Sequence, residues 1–251
     1  MPLFVILTLF PDALAPYLAE SILGSAHERG LVEVLLIDFR DFARDRHRTV
    51  DDRPFGGGPG MVLKPEPMSA AIDAAAARLP AGVPRVYLSA QGVPFRQALA
   101  EEWSKLPALV LVAGRYEGLD ERVIESRVDR EVSVGDYVLS GGEFPALAVI
   151  DAVARLLPGV LGDLRSNVEE SFGAGLLDWP HYTRPVEFEG RTVPEVLQGG
   201  HHADIQRWRL KQAVARTWSR RPDLIARGGL PADAAKLLDE FLAEREGERH
   251  G

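Results

Sequence analysis

Val132-Ser133-Val134-Gly135-Asp136-Tyr137-Val138-Leu139-Ser140-Gly141-Gly142-Glu143 passes from strand-like alternation through a glycine-bent loop into the start of a helix. Gly135, Gly141 and Gly142 permit backbone angles and close approaches that bulkier residues resist, so main-chain amides and carbonyls here can face a ligand directly. Taken alone, such a stretch reads first as a tight turn between two buried elements. Two further stretches have the same form. Arg85-Val86-Tyr87-Leu88-Ser89 runs into Ala90-Gln91-Gly92, and Leu109-Val110-Leu111-Val112-Ala113 runs into Gly114-Arg115-Tyr116-Glu117-Gly118. Ligands of open α/β sheets gather at the carboxyl ends of strands, so three such loops predict one shared pocket.

Outward from these loops, the apolar run Leu3 to Leu9 predicts a strand, Pro16 to Arg29 a helix stopped by Gly30, and Val32 to Ile37 the next strand. That order implies a parallel, right-handed βαβ unit. Its first turn is Phe10-Pro11-Asp12, without the Gly-x-Gly-x-x-Gly of dinucleotide sites. Asp38 to Met61 reads as a long irregular loop carrying Arg40, Arg44, Arg46, His47, Arg48 and Arg53, then Phe55-Gly56-Gly57-Gly58-Pro59-Gly60. A structureless loop of that length is usually functional or disordered. We read it as a flexible segment over the pocket, against the plainer reading of a solvated basic loop.

Helices are predicted over Pro65 to Leu79, Phe95 to Leu106, Leu119 to Arg127 and Pro145 to Leu157, alternating with the strands. This alternation indicates an α/β fold with a mainly parallel sheet. Pro158 to Leu176 holds four glycines and no apolar period, so a domain boundary belongs there. The expected organisation is an α/β ligand-binding domain over 1–161, a linker over 162–176 and a small helical domain over 177–251. Within the last, Pro194 to Leu197 predicts a short turn, and His201 to Ser219 and Pro231 to Glu244 predict helices, with Trp208 and Trp218 on the core side.

Tyr-Leu-Ser-x-Gln-Gly, Gly-Arg-Tyr-Glu-Gly and Gly-Asp-Tyr-Val-Leu-Ser-Gly-Gly-Glu, with Pro180-His181-Tyr182-Thr183-Arg184-Pro185 further on, resemble the bacterial tRNA (guanine-N1)-methyltransferases from Leu3 to roughly Phe241. The resemblance implies a deep trefoil-knot (SPOUT) cofactor site, S-adenosylmethionine as methyl donor, and the guanosine immediately 3′ of the tRNA anticodon as acceptor. It implies a homodimer in which loops of two chains build each site; a cytoplasmic location is the default expectation for a sequence without a membrane span or signal-peptide start. By the same resemblance, cofactor contacts fall on Tyr87, Leu88, Ser89, Gly114, Tyr116, Glu117, Val134, Gly135, Tyr137, Leu139, Gly141 and Gly142. The catalytic pair falls on Arg155 and on Glu170, where the family typically has Asp before Ser-Phe; Glu169 is the alternative acid. Contacts to tRNA are expected from His181, Tyr182, Arg184, Arg207, Arg209 and Lys211.

The acceptor chemistry explains the catalytic pair. The ring nitrogen beside the guanine carbonyl bears a proton at neutral pH, so a carboxylate must remove it as the methyl arrives, and an arginine must meet the charge that builds on the oxygen. The chain has no cysteine, which excludes disulfides, thiolate zinc sites and methylation through a covalent cysteine adduct. His201-His202 point apart on a helix with no third ligand nearby, so no metal site is expected there; a divalent ion such as Mg2+ assisting the reaction stays open.

A net charge of −8 argues against a non-specific nucleic-acid coat. Yet between His201 and Arg227 seven cations face only Asp204 and Asp223, which predicts a local basic face suited to a specific RNA. With that face and an altered base position, a catalytically silent tRNA-binding protein is the alternative function. No apolar run is long enough for a membrane span, and the start lacks the basic segment of a signal peptide.

Overall fold

The computed structural model describes residues 1–162, 170–172 and 174–250, in two compact units, Met1–Leu164 and Arg165–Gly251. In the first unit, strands β1 (Leu3–Thr8), β2 (Glu33–Asp38), β5 (Arg85–Pro94), β6 (Ala108–Val112) and β7 (Arg130–Ser133) form one sheet. Its order is β2-β1-β6-β5-β7, and every pairing is parallel. The carboxyl ends of all five strands therefore share one edge. A wholly parallel sheet must be covered on both faces, and the strands alternate accordingly. Phe4, Ile6, Leu109 and Leu111 enter one core with α1 (Pro11–Leu18), α2 (Ser21–Glu28), α4 (Gln97–Trp103) and α6 (Glu143–Ala154). Val5, Leu7, Val110 and Val112 enter the other with α3 (Pro65–Ala76) and α5 (Glu121–Arg127).

Three expectations change. The helix expected over Pro16 to Arg29 is two helices, because Pro11 starts α1 at a position where its missing N–H costs nothing, and the chain breaks at Ala19-Glu20. Ser21 takes φ 56°, and Gly24 lies so close to the Ala19 carbonyl that a Cβ would be 2.1 Å from its oxygen. Second, β5 does not end at Ser89. It bulges after Leu88 and pairs again with Val132 through Val93, because Gly92 crosses where a Cβ would lie 2.2 Å from the Val132 nitrogen. Third, the expected loop over 38–61 contains a 3-10 turn (Phe39–Phe42) and a hairpin of β3 (Asp51–Asp52) with β4 (Val62–Leu63). The glycine run is the tip of that hairpin.

At the opposite edge of the sheet, Arg85 grips Asp129 through two side-chain bonds of 2.8 and 2.7 Å. The guanidinium holds the Asp129 carboxyl below its ordinary pKa, and the pair ties the starts of β5 and β7 together.

The second unit is helical, as expected, with α7 (His202–Arg220), α8 (Pro222–Gly228) and α9 (Ala232–His250). The sequence reading missed α8 and a small hairpin of β8 (Glu187–Phe188) and β9 (Arg191–Thr192). Both turn residues of that hairpin, Glu189 and Gly190, have positive φ, the geometry of a type I′ turn. Leu176, read as the end of the linker, is instead buried with Ala213, Val214 and Ala234 in the core of this unit. The adjacent Leu177 amide donates to Thr217 Oγ1 at 2.8 Å, and that hydroxyl donates to the Ala213 carbonyl at 2.7 Å. Thr217 is fully buried, so Thr217→Val leaves the Leu177 amide without a partner. We expect a loss of about 1–3 kcal/mol in the unfolding free energy, read by urea titration, with Thr217→Ser close to the parent.

Candidate active site

Three segments at the carboxyl edge enclose a pocket of about 190 Å³: the β5 bulge (Leu88 to Gln91), the loop after β6 (Gly114 to Gly118) and the glycine loop after β7, with Pro145 of α6 behind. Eleven of the twelve residues expected to touch the cofactor line it: Leu88, Ser89, Gly114, Tyr116, Glu117, Val134, Gly135, Tyr137, Leu139, Gly141 and Gly142. Tyr87 is the exception. Its side chain points to the other face of the strand, buried beneath Gly114 and Gly118, where a Cβ on either glycine would lie 2.9 Å or less from the Tyr87 ring or hydroxyl. Burial pushes its phenol above the ordinary pKa, so Tyr87 is a neutral support for the loop. Arg115, Ser140 and Pro145 also line the pocket. The motifs contained Arg115 and Ser140, but no feature of the sequence distinguished them as pocket walls.

The loops are bonded to one another. The Gly142 amide donates to the Gly114 carbonyl at 2.9 Å, and Arg115 forms a bridge with Gly141. Arg115 Nη1 donates to the Ser140 carbonyl at 2.8 Å, while its guanidinium lies 4.5 Å from the centre of the Phe10 ring. Ser133 Oγ accepts from the Gly135 amide at 3.2 Å and donates to the Gly135 carbonyl at 3.0 Å, which curls the chain as it leaves β7. The glycines are needed for proximity: a Cβ on Gly135 would lie 2.4 Å from the Tyr137 ring, and one on Gly142 would lie 2.6 Å from the Ala113 Cα. The glycine hairpin is bonded to one wall of the pocket. The Glu117 amide donates to the Met61 carbonyl at 3.0 Å, and the Gly118 carbonyl accepts from the Leu63 amide at 2.9 Å. Gly60 takes φ +85° beside the Glu117 side chain, whereas Phe55 at the tip is fully exposed.

Arg155, the expected oxyanion partner, caps the far end of α6 and is half-buried. The pocket lies at that helix's first turn. Twelve residues of α-helix separate Glu143 from Arg155, about 18 Å along the axis. One chain therefore does not bring its own Arg155 to its own pocket. Phe144, Ala148, Asp151, Ala152 and Arg155 follow one another at helical spacing along the outer side of α6, where none is fully buried. Glu170 lies in the second unit and is exposed; Glu169 lies outside the described residues.

Of the residues expected to meet tRNA, His181, Tyr182 and Arg184 are exposed, and the Arg184-Pro185 bond is cis. His181 Nε2 pairs with Asp178 Oδ2 at 2.7 Å, and the Tyr182 ring lies 6.4 Å from that of Trp208. The Arg209 guanidinium lies 4.9 Å from the centre of the Trp179 ring, and its Nε is buried without a hydrogen-bond partner. The basic face predicted between His201 and Arg227 is weaker than its charge count. Arg207 binds Glu240 at 2.7 Å, Lys211 binds Glu244 at 2.6 Å, and Arg221 and Arg227 both bind Asp223. Trp218 and Trp208 are half-buried; Trp218 meets Phe241 edge-on at 6.3 Å.

Among the described residues, no group of three or more His, Asp or Glu is placed to hold a metal ion, and no helix is long and apolar enough to cross a membrane. Comparison with known proteins returns one family over most of this geometry. The model described as tRNA (Guanine-1)-methyltransferase TrmD matches residues 2–227. A tRNA (guanine-N(1)-)-methyltransferase of Methylococcus capsulatus is 54% identical over 243 residues, covering 97% of each chain. Proteins of the same name from Pelotomaculum thermopropionicum and Salmonella newport are 52% and 51% identical, over 95% and 98% of this chain and 95% and 96% of their own. A match that includes the sheet, the three pocket loops and most of the second unit shows that the chain belongs to the tRNA (guanine-1)-methyltransferase family.

Proposed function

We propose that this protein transfers a methyl group from S-adenosylmethionine to N1 of the guanosine immediately 3′ of the tRNA anticodon, as a cytoplasmic homodimer. The observation that carries this reading is the pocket. Three loops expected to hold the cofactor meet at one edge of the sheet, in a chain about half identical to methyltransferases so named. The site suits a nucleoside, with main chain brought close by Gly114, Gly135, Gly141 and Gly142, apolar walls from Leu88, Val134 and Leu139, and the Glu117 carboxyl at the rim. The Gly142 to Gly114 bond and the bridge of Arg115 with Gly141 cross one loop over another. We take that crossing as part of the knotted arrangement characteristic of the family.

When bound, S-adenosylmethionine supplies a methyl group on a cationic sulfur. The Glu170 carboxylate would take the N1 proton of the guanine as the methyl group arrives. Arg155 would stabilise the charge that moves onto the guanine oxygen.

The position of Arg155 supports the dimer. An isologous contact along the outer side of α6 would lay two such helices antiparallel, carrying Arg155 of each toward the pocket of the other. Phe144 is 72% exposed and Val138 91% exposed beside that pocket, which gives the contact apolar surface to bury. The second unit, with Tyr182, Trp208, Arg184 and Arg209, then serves as the tRNA-binding domain, the aromatics stacking unpaired bases.

Methyl transfer from labelled S-adenosylmethionine to two transcripts, differing only in guanine or adenine 3′ of the anticodon, tests the function. Label in the guanine transcript alone is the expected result; equal label in both, or in neither, refutes the assignment.

A further inference from the structure

Among the described residues Glu143 stands out as a buried charged side chain, at 9% exposure, yet it does not line the pocket. It opens α6, where the unpaired amides of a helix start favour an anion. Its Oε1 accepts from Thr8 Oγ1 at 3.0 Å, and Thr8, fully buried, ends β1. The same hydroxyl accepts from the Phe10 amide at 3.0 Å. Oε2 lies 3.8 Å from Arg115 Nε, and Arg115 is the residue that packs on Phe10 and donates to Ser140. Gly141 threads between the two partners: a Cβ there would lie 2.3 Å from Glu143 Oε2 and 2.5 Å from Arg115 Cδ.

We propose that Glu143 is a positioning residue that, through Thr8 and Arg115, sets the Ser140 to Gly142 wall of the pocket in its cofactor-binding shape. The inference rests on the reading of the pocket as the S-adenosylmethionine site. Its physical content is that one carboxylate joins three segments with no covalent reason to stay together: the end of β1, the loop after β6 and the loop after β7. Without the negative charge, Arg115 loses the partner that aims its fork at the Ser140 carbonyl, and the wall is free to shift. The effect is expected on cofactor binding, since the wall held through Arg115 belongs to the cofactor pocket.

The test is calorimetric titration of S-adenosylhomocysteine into the full-length protein and its variants, with melting temperature, tRNA affinity and steady-state kinetics measured alongside. Glu143→Gln and Thr8→Val are each expected to weaken S-adenosylhomocysteine by roughly 10- to 100-fold and to raise KM for S-adenosylmethionine, with kcat at saturation and tRNA affinity held. Thr8→Ser, which keeps the hydroxyl, is expected to match the parent. Parental affinity in folded Glu143→Gln, or a change confined to the melting temperature, overturns the proposal. Should Glu143→Gln fail to fold, Arg115→Lys, at the more exposed end of the contact, is expected to show the same weakening; parental affinity there overturns the proposal equally. A parent chain that does not bind S-adenosylhomocysteine overturns the cofactor reading itself, whereas a binding parent with unaffected variants overturns only the role of Glu143.

Discussion

Two inactive variants, Arg155→Ala and Gly142→Ala, are expected to regain methyl transfer when their subunits are mixed. Arg155 and the pocket sit at opposite ends of α6, so the proposed homodimer would take each site's pocket from one protomer and its arginine from the other. In a mixed dimer one site then contains both defects and the other contains none. With random exchange half the dimers are mixed, so activity should recover to roughly a quarter of the parental value. Arg155→Ala alone should fall by about 10²- to 10³-fold, the usual loss when one donor to a developing oxyanion is removed, whereas Gly142→Ala fails through its loss of cofactor binding. Co-expression with two affinity tags, followed by assay of the doubly tagged dimer, gives the cleanest measurement. No recovery in that fraction would place Arg155 in the site of its own chain, against the axial separation along α6.

Gly142→Ala is the second large effect, and its cause lies in one contact. The added Cβ would lie 2.6 Å from the Ala113 Cα and 3.1 Å from the Ala113 carbonyl carbon. Backbone cannot swing aside as the end of a long side chain can, so the Gly142 to Gly114 hydrogen bond must lengthen or break. Cofactor affinity should fall by at least about 100-fold, together with a stability loss of roughly 1–3 kcal/mol. Gly57 is the informative control, because a Cβ there meets nothing within 4 Å. Gly57→Ala carries only the strain of φ +76° and should leave cofactor binding at the parental level. Isothermal titration with S-adenosylhomocysteine and thermal melts distinguish the two variants.

The pocket was legible in the sequence because each wall follows a short apolar run with glycines at its end, a pattern that a parallel sheet converts into loops on one edge. What was hidden depends on residues far apart in the chain. The β5 bulge requires Gly92 to cross Val132, so Ser89 read as a strand end although the strand continues to Pro94. Arg207 and Lys211 counted as free cations because their partners, Glu240 and Glu244, come 33 residues later on α9. The resemblance put Tyr87 among the cofactor contacts with Leu88 and Ser89; strand alternation places its ring on the face of the sheet opposite that of Leu88. The separation of Arg155 from the pocket was implicit in twelve helical residues. It became visible only once the first turn of α6 was seen to form the pocket wall.

The bond from Thr8 to Glu143 spans 135 positions of the chain, and the pocket also depends on Met61, Gly114 and Ser140. A site closed by such distant pairings has high contact order, so it cannot exist until β1, β6 and β5 have already assembled. Nothing shorter than the folded first unit offers a binding surface, and a nascent or half-folded chain is invisible to the cofactor. Ligand in a refolding mixture should therefore leave the folding rate unchanged while slowing unfolding, since it recognises only the finished state.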